Sequence, residues 1–290
     1  MPTRYGAISL FVFLCFATDA VFAQTEAVDR YFDSSDGVRL HYLEAGTGPA
    51  IVFVPGWTMP AEIWEPQLRY FSKSFRVIAF DPRGQGKSDI ARTGYVAERR
   101  ARDIAELIDR IGEPVVLVAW SLGVMEALVY VTTHGTGKLR ALVLIDNSIG
   151  EVPPPSYDPT FLKRLRQNRK ATTEEFVRSM YHVPQSEKYI QELTSYSMRM
   201  PLDASIALLN YPQPRKYWKE AVYRTDRPLL YVVSEEALQG QAKHLKKNRP
   251  AAWIEVFEKS GHALFVDEAQ RFNRVLEDFL KKEVPNKEPN

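Results

Sequence analysis

The sequence contains little cysteine and almost no net charge. Cys15 is the only cysteine among the 290 residues, and it lies in an apolar run near the start of the chain. A chain that has lost this run would have no disulfide and no thiol nucleophile. The 38 lysines and arginines nearly balance the 36 acidic residues, for a net charge of +2. This balance gives no electrostatic reason to expect nucleic acid or an anionic membrane as the main partner.

Internal repeats and low-complexity linkers are also absent. With 45% hydrophobic and 12% aromatic residues, a chain of this length can bury one large core. The basic cluster at residues 99–102 alternates with Glu98, Asp103 and Glu106. This mixture is typical of a solvated helix face and does not indicate a binding patch. We therefore expect one catalytic domain that carries an insertion.

Residues 1–23 predict a secretory signal peptide. Arg4 supplies a positive start, Ala7 to Phe16 is an apolar run too short to span a bilayer comfortably, and Ala23 is a small residue before a polar segment. We expect cleavage after Ala23, export to the periplasm or the medium, and no stable membrane anchoring afterwards. The alternative is an uncleaved N-terminal anchor.

From Val28 onward, short apolar runs alternate with longer amphipathic segments. The nearly continuous apolar runs suit central strands that are buried on both faces; they are residues 50–54, 76–80, 115–119, 141–145, 228–233 and 252–257, with an early hairpin strand at 38–43. Helical spacing occurs at residues 61–72, 95–111, 122–134, 237–247 and 267–281. The alternation predicts an α/β fold with a mostly parallel central sheet flanked by helices.

The interval 150–225 breaks this alternation. It opens with three prolines at 153–155 and contains helical stretches near 161–168, 173–181 and 187–198. We interpret it as a helical cap inserted between two strands of a core formed by residues 24–149 and 226–282, with a flexible tail at 283–290. Its large side chains either line a substrate pocket or form the cap's own core; they include Tyr157, Tyr181, Tyr196, Met198 and Met200.

Ser121 is the candidate nucleophile. It follows the apolar run Val115 to Ala119 by two positions and directly precedes a predicted helix at Leu122. A sharp turn between strand and helix exposes a serine hydroxyl to a base and to a substrate, and it requires small neighbours such as Ala119 and Gly123. The alternative is a serine that only caps the helix.

The sequence also contains a candidate base and a candidate oxyanion loop. Of the five histidines, only His262 lies in a loop after the last predicted strand and before the last helix. An imidazole there can take the serine proton and return it to a leaving group. We assign the oxyanion N–H donors to Trp57, in the turn after the strand 50–54, and to Leu122, the residue after the nucleophile.

These motifs resemble those of the α/β-hydrolase superfamily, in particular its small bacterial esterases and cofactor-free haloperoxidases. The resemblance runs from Tyr31 to Leu280 and rests on Gly56-Trp57, the run Phe-Asp-Pro-Arg-Gly-Gln-Gly-Lys-Ser at 80–88, the serine turn and Gly261-His262. It implies the α/β-hydrolase fold and chemistry without a metal or an organic cofactor. One departure concerns Pro55, because the family usually has histidine before the oxyanion glycine.

A second departure concerns the acid that would orient the histidine. The family commonly places an aspartate after the strand 228–233, whereas this chain reads Ser-Glu-Glu-Ala at 234–237. A carboxylate at another strand end can serve, so we favour Asp146, at the end of the preceding strand, with Glu236 and Glu235 as alternatives. The remaining alternative is an incomplete triad.

Together these features predict an exported serine hydrolase that cleaves carboxylic esters of a small acyl substrate through an acyl-enzyme. The same site could cleave a carbon–carbon, lactone or amide bond or form peracids. A different class of function would be a ligand-binding pseudoenzyme that has lost its acid. The serine at position 121 argues against the dehalogenase and epoxide hydrolase branches, which use an aspartate at that turn.

Overall fold

A computed structural model describes residues 26–155, 158–234 and 236–284. The predicted signal peptide, Tyr157, Glu235 and residues 285–290 of the predicted tail lie outside this part of the chain, as do the side chains of Glu236 and Ala237. Across the described residues, no helix is both long and apolar enough to cross a membrane.

One eight-stranded sheet organises the molecule. Its strands are β1 Val28–Asp33, β2 Arg39–Ala45, β3 Ala50–Val54, β4 Arg76–Asp81, β5 Val115–Trp120, β6 Leu139–Ile145, β7 Leu229–Val233 and β8 Trp253–Val256. They lie in the order β1-β2-β4-β3-β5-β6-β7-β8. The pairs β1–β2 and β2–β4 are antiparallel and all others are parallel. Every residue of β3, β5 and β7 is buried, which explains their continuous apolar sequences.

Helices cover both faces of the sheet. Outside the segment between β6 and β7 they are a 3-10 helix at Ala61–Trp64, α1 Glu65–Phe71, α2 Ala97–Ile111, α3 Leu122–His134, α9 Glu236–Asn248, α10 Leu264–Asp267 and α11 Ala269–Glu283. Between β6 and β7, the described residues form five helices that we call the cap helices: α4 Phe161–Gln167, α5 Arg169–Ser179, α6 Glu187–Arg199, α7 Leu202–Ala207 and α8 Arg215–Arg224. They fall in the interval predicted to be a helical cap, although the division into domains remains a prediction.

The amphipathic pattern of α2 shows how a flanking helix is fixed to the sheet. Ile104, Leu107, Ile108 and Ile111 recur at helical spacing and are buried in the core cluster beneath the helix. Each such side chain contributes about 1.5–3 kcal/mol relative to an exposed position. The helix ends at Gly112, whose φ of 81° is the left-handed conformation that glycine adopts most readily.

The parallel strands end level with one another at one edge of the sheet. In the register, Val54 pairs with Ala119, Trp120 with Ile145, and Ile145 with Val232. The loops that follow β3, β5, β6, β7 and β8 therefore converge at the same edge. This convergence brings distant parts of the sequence together, as is usual for ligand sites of open parallel sheets.

Candidate active site

Ser121 occupies a strained turn between β5 and α3. Its φ is 54° and its ψ is −121°, a conformation that residues with a side chain rarely adopt. Such a conformation costs about 1–3 kcal/mol and persists only where the surroundings impose it. The backbone N–H of Ser121 donates to the carbonyl of Ile145 on the neighbouring strand at 2.9 Å. The turn leaves the serine side chain partly exposed at the end of a fully buried strand.

Close backbone packing explains the small residues around this turn. A Cβ atom on Gly123 would lie 2.8 Å from the carbonyl oxygen of Pro55 and 2.9 Å from that of Val54. A Cβ atom on Gly56 would lie 2.9 Å from the Cβ of Ser121. Atoms do not approach so closely without displacement, so both positions need glycine. The turn after β3 therefore lies directly against the candidate nucleophile.

His262 lies between a hydroxyl and a carboxylate. Its Nε2 is 2.7 Å from Oγ of Ser121, and its Nδ1 is 2.8 Å from Oδ2 of Asp146. A carboxylate only accepts hydrogen bonds, so the proton of a neutral imidazole belongs on Nδ1. Nε2 is then free to accept the hydrogen of the serine hydroxyl, which is the arrangement that makes a hydroxyl nucleophilic.

Asp146 is the carboxylate that the structure brings to His262. It directly follows β6, has a φ of 50°, and is almost fully buried. Its carboxylate also accepts two hydrogen bonds from Ser234, one from the backbone N–H at 2.6 Å and one from the hydroxyl at 2.9 Å. Of the two alternatives, Glu235 lies outside the described residues, and the same holds for the side chain of Glu236.

The loop that carries His262 is fixed by partners from three parts of the chain. The Nε1–H of Trp120 donates to the carbonyl of His262 at 2.8 Å. The N–H of Ala263 donates to the carbonyl of Met180, beyond α5, at 2.8 Å. The carboxylate of Asp267 accepts from the N–H of Gly261 at 2.7 Å. His262 is thus held by β5, by the segment between β6 and β7, and by α10.

The predicted oxyanion residues lie on either side of Ser121. Leu122 is the first residue of α3, where backbone N–H groups have no partner inside the helix. Trp57 follows Gly56 in the turn that touches Ser121. The Nε1–H of Trp57 donates to the carbonyl of Ser205 in α7 at 2.7 Å, so the indole is fixed by a cap helix.

Thr58 provides a second contact between this turn and the cap helices. Its φ is 58°, which makes it one of three residues other than glycine with positive φ in the described chain, together with Ser121 and Asp146. Its hydroxyl lies 2.6 Å from the hydroxyl of Ser197 in α6. All three strained residues thus belong to the candidate site.

An apolar wall encloses the side of the site that faces the cap. Trp57 and Leu122 are buried in one cluster with residues of the cap helices. The rings of Phe161 and Phe176 pack edge-on against Trp57 at centroid distances of 5.6 and 5.1 Å. Of the cap side chains singled out in the sequence, Met200 belongs to this cluster.

The other large cap side chains have different surroundings. Tyr181 packs on the core cluster of α1 and α11, and Tyr196 donates to Glu62 at 3.3 Å. Met198 is half-buried. Among the described residues, no three histidine, cysteine, aspartate or glutamate side chains are grouped so that they could hold a metal ion.

Several supporting residues carry no motif that sequence reasoning could use. Besides Ser234 and Trp120, the amide of Asn147 donates to the carbonyl of Ser121 at 2.7 Å. Asn147 adjoins Asp146, and Ser234 directly follows β7, the strand next to β6, so the order of these two strands would have indicated both residues. Gln85 donates to the turn that contains Trp57, and it lies inside the run at 80–88.

The chain belongs to the alpha/beta hydrolase family, whose sequence profile matches residues 51–275. A non-heme chloroperoxidase from Kitasatospora aureofaciens is 28% identical over 271 residues, which cover 85% of this chain and 98% of that protein. A candidate aryl esterase from Burkholderia cenocepacia has a similar structure, with a TM-score of 0.79 and 25% identity over 89% of this chain and 99% of the other.

An esterase from Exiguobacterium antarcticum shares the fold, with a TM-score of 0.78 and 23% identity over 88% of this chain and 100% of the other. The similarities lie with haloperoxidases and esterases, so the family, its branch and the α/β-hydrolase fold predicted from the sequence are confirmed.

Proposed function

We propose that this hydrolase is a serine esterase whose nucleophile is Ser121. One observation carries the proposal: Asp146, His262 and Ser121 form a continuous hydrogen-bonded series with both contacts below 3 Å. The series ends beside a turn packed so closely on Ser121 that only glycine fits at position 56. The names of similar proteins support an ester bond as the target; they include the candidate aryl esterase of Burkholderia cenocepacia and the esterase of Exiguobacterium antarcticum.

In the proposed reaction, Oγ of Ser121 attacks the carbonyl carbon of the ester while Nε2 of His262 takes the hydroxyl proton. The carbonyl oxygen becomes an oxyanion that accepts hydrogen bonds from the N–H groups of Trp57 and Leu122. Collapse of this tetrahedral intermediate breaks the ester C–O bond, and His262 returns the proton to the leaving alcohol. Water then attacks the acyl-enzyme by the same route and releases the acid.

Asp146 has an orienting role in this reaction. Its carboxylate holds the imidazole with the proton on Nδ1, and it stabilises the imidazolium that forms when His262 accepts the serine proton. The contact at 2.8 Å also argues against the ligand-binding pseudoenzyme, because that alternative depends on a missing acid.

The experiment combines active-site labelling with a substrate panel. A fluorophosphonate probe should modify the folded wild-type protein at Ser121, with no modification of Ser121→Ala. p-Nitrophenyl esters of increasing acyl length should be hydrolysed, whereas a lactone, an anilide and a β-diketone should react more slowly. Absence of labelling in protein with native circular dichroism would reject the serine mechanism. Labelling with turnover of only a non-ester bond would reject the esterase.

Export is a separate part of the proposal and rests on residues 1–23 alone. Expression in a Gram-negative host followed by fractionation should place the protein in the periplasm or the medium, with Gln24 as its first residue by N-terminal sequencing. A chain that retains Met1 and sediments with membranes would show that the segment is an anchor.

A further inference from the structure

A buried glutamine holds the turn that precedes the oxyanion donor. Gln85 has no exposed surface, and its Nε2 amide group donates to the carbonyls of Gly56 at 3.0 Å and Met59 at 2.7 Å. These two carbonyls flank Trp57 and Thr58. A single side-chain amide thus connects both ends of the turn whose backbone N–H we propose as an oxyanion donor.

The orientation of this amide is fixed by Arg100, which is fully buried, so the solvated helix face expected at residues 99–102 is wrong at this position. Nη2 of Arg100 donates to Oε1 of Gln85 at 2.7 Å, and Nη1 donates to the carbonyl of Arg83 at 3.3 Å. A guanidinium has donors only, so it requires the oxygen of the amide on its side. The amide nitrogen must then face the two carbonyls of the turn, because a flipped amide would lose all three contacts.

The guanidinium of Arg100 also lies against a carboxyl group on the helix that follows the candidate nucleophile. Nε of Arg100 lies 2.9 Å from Oε1 of Glu126 in α3, and both side chains are almost completely buried. Burial raises the pKa of Glu126 to about 7, although the charge of Arg100 opposes this effect. A buried ion pair adds little stability, since desolvation offsets the attraction. The pair instead fixes the position of the guanidinium that donates to Gln85.

We propose that Gln85 is a positioning residue for the oxyanion turn and that Arg100 and Glu126 keep its amide in the required orientation. The inference rests on the proposed esterase function. Pro55, directly before the turn, has neither a backbone N–H nor a polar side chain, so it cannot contribute a donor. The glutamine supplies this support from a loop that is 26 to 29 positions away in sequence.

The test compares two buried glutamines. Gln67 is also fully buried, and its amide donates to the carbonyl of Phe265 at 2.9 Å and to Oδ1 of Asn273 at 3.1 Å. Gln85→Met and Gln67→Met each remove two donated hydrogen bonds, and Gln85→Met also removes the acceptor of Nη2 of Arg100, so Gln85→Met should destabilise the protein more. Only the first should disturb the oxyanion turn. The substrate is p-nitrophenyl acetate, and all rates are expressed per folded molecule.

For Gln85→Met we expect kcat to fall about 10- to 100-fold with KM changed by less than about twofold, because the donor acts on the transition state. An aryl trifluoromethyl ketone should bind more weakly by the same factor. Its adduct forms when Oγ of Ser121 adds to the ketone carbon, the proton moves to His262 and the oxygen becomes an alkoxide in the oxyanion site. The pH profile should keep its shape, since neither His262 nor Asp146 contacts Gln85.

Gln67→Met should keep kcat and the inhibition constant within about twofold of wild type. If Gln85→Met does not fold, Gln85→Glu provides the test instead. This variant keeps an oxygen that accepts from Arg100 and removes only the amide N–H groups that donate to Gly56 and Met59. The inference is wrong if the Gln85 variant is as active as the Gln67 variant, or if the affinity for the inhibitor does not change in parallel with kcat. Either result would leave the proposed esterase function intact. A wild-type protein that neither hydrolyses the ester nor binds the ketone would reject the proposed function and this inference with it.

Discussion

Ser234 donates two hydrogen bonds to the carboxylate of Asp146, one from its backbone N–H and one from its hydroxyl. Ser234 directly follows β7, whereas Asp146 directly follows β6. The hydroxyl reaches Oδ2, the same oxygen that lies against Nδ1 of His262. The residue after β7 thus holds the carboxylate at the end of the neighbouring strand, β6.

Ser234→Ala removes the hydroxyl and leaves the backbone hydrogen bond in place. A hydrogen bond of this kind contributes about 1 kcal/mol, so kcat/KM should fall roughly fivefold. Ser234→Thr keeps the hydroxyl and should retain most of the activity. Steady-state kinetics on a p-nitrophenyl ester would measure both variants. Equal activity of the alanine variant and wild type would show that the hydroxyl does not orient Asp146.

Asp146→Asn tests the orienting acid itself. The amide presents only one acceptor oxygen and cannot stabilise an imidazolium by charge, so kcat should fall about 10³- to 10⁴-fold. Glu236→Gln changes the same functional group at the start of α9 and should keep kcat within about twofold. The opposite ranking of the two variants would place the acid at the beginning of α9.

Gly56→Ala tests the close approach between the oxyanion turn and the nucleophile. The added Cβ would lie 2.9 Å from the Cβ of Ser121 and 3.1 Å from two ring atoms of Trp120. We expect kcat/KM to fall by about 100-fold or more, together with slower fluorophosphonate labelling, because an error of about 1 Å is enough for such a loss. The matched control is Gly137→Ala, where the added Cβ would meet nothing within 4 Å. Unchanged labelling of the position 56 variant would contradict the proposed geometry.

Glu151 predicts a dependence of stability on pH. Its side chain is almost fully buried and accepts hydrogen bonds from Tyr223 at 2.6 Å and from Lys219 at 3.2 Å. The carboxylate also lies 3.0 Å from Nδ1 of His244. The side chain of Arg215 donates to the backbone carbonyl of Glu151. Burial by itself would raise the pKa of Glu151, but the hydrogen bonds from Tyr223 and Lys219 and the charge of Lys219 lower it overall.

A carboxyl whose pKa is lower in the folded state stabilises the fold above its unfolded pKa of about 4.3, and this contribution is lost as the pH falls through the folded pKa. Glu151→Gln should therefore lower the free energy of unfolding at neutral pH and flatten its decline below about pH 5. Urea unfolding at a series of pH values would measure both effects. Parallel pH profiles for the variant and the wild type would contradict this prediction.

The sequence predicts the central sheet well because burial on both faces produces continuous apolar runs. The runs at 50–54, 115–119 and 228–233 coincide closely with β3, β5 and β7. It does not identify β1, whose residues are mostly exposed at an edge of the sheet. It also does not identify α7 and α8, two short helices that each follow a proline.

Some residues of the candidate site can likewise be predicted from the sequence, and others cannot. Ser121 and His262 are detectable because each lies in a local pattern of strand, turn and helix. The acid is ambiguous in sequence because the contact between Asp146 and His262 spans 116 positions and depends on where neighbouring strands end. The contact of Gln85 with the oxyanion turn leaves no local pattern either, since a buried amide is recognisable only with its partners in place.

The hydrogen bonds of Trp57 to Ser205, of Thr58 to Ser197 and of Ala263 to Met180 have a consequence for protein engineering. A new specificity could be sought by replacing the segment between β6 and β7 with that of another protein. In this protein such an exchange would also remove supports of both the oxyanion turn and the histidine loop. A chimera must therefore reproduce two backbone carbonyls and one hydroxyl at these points before any gain from a new cap can be measured.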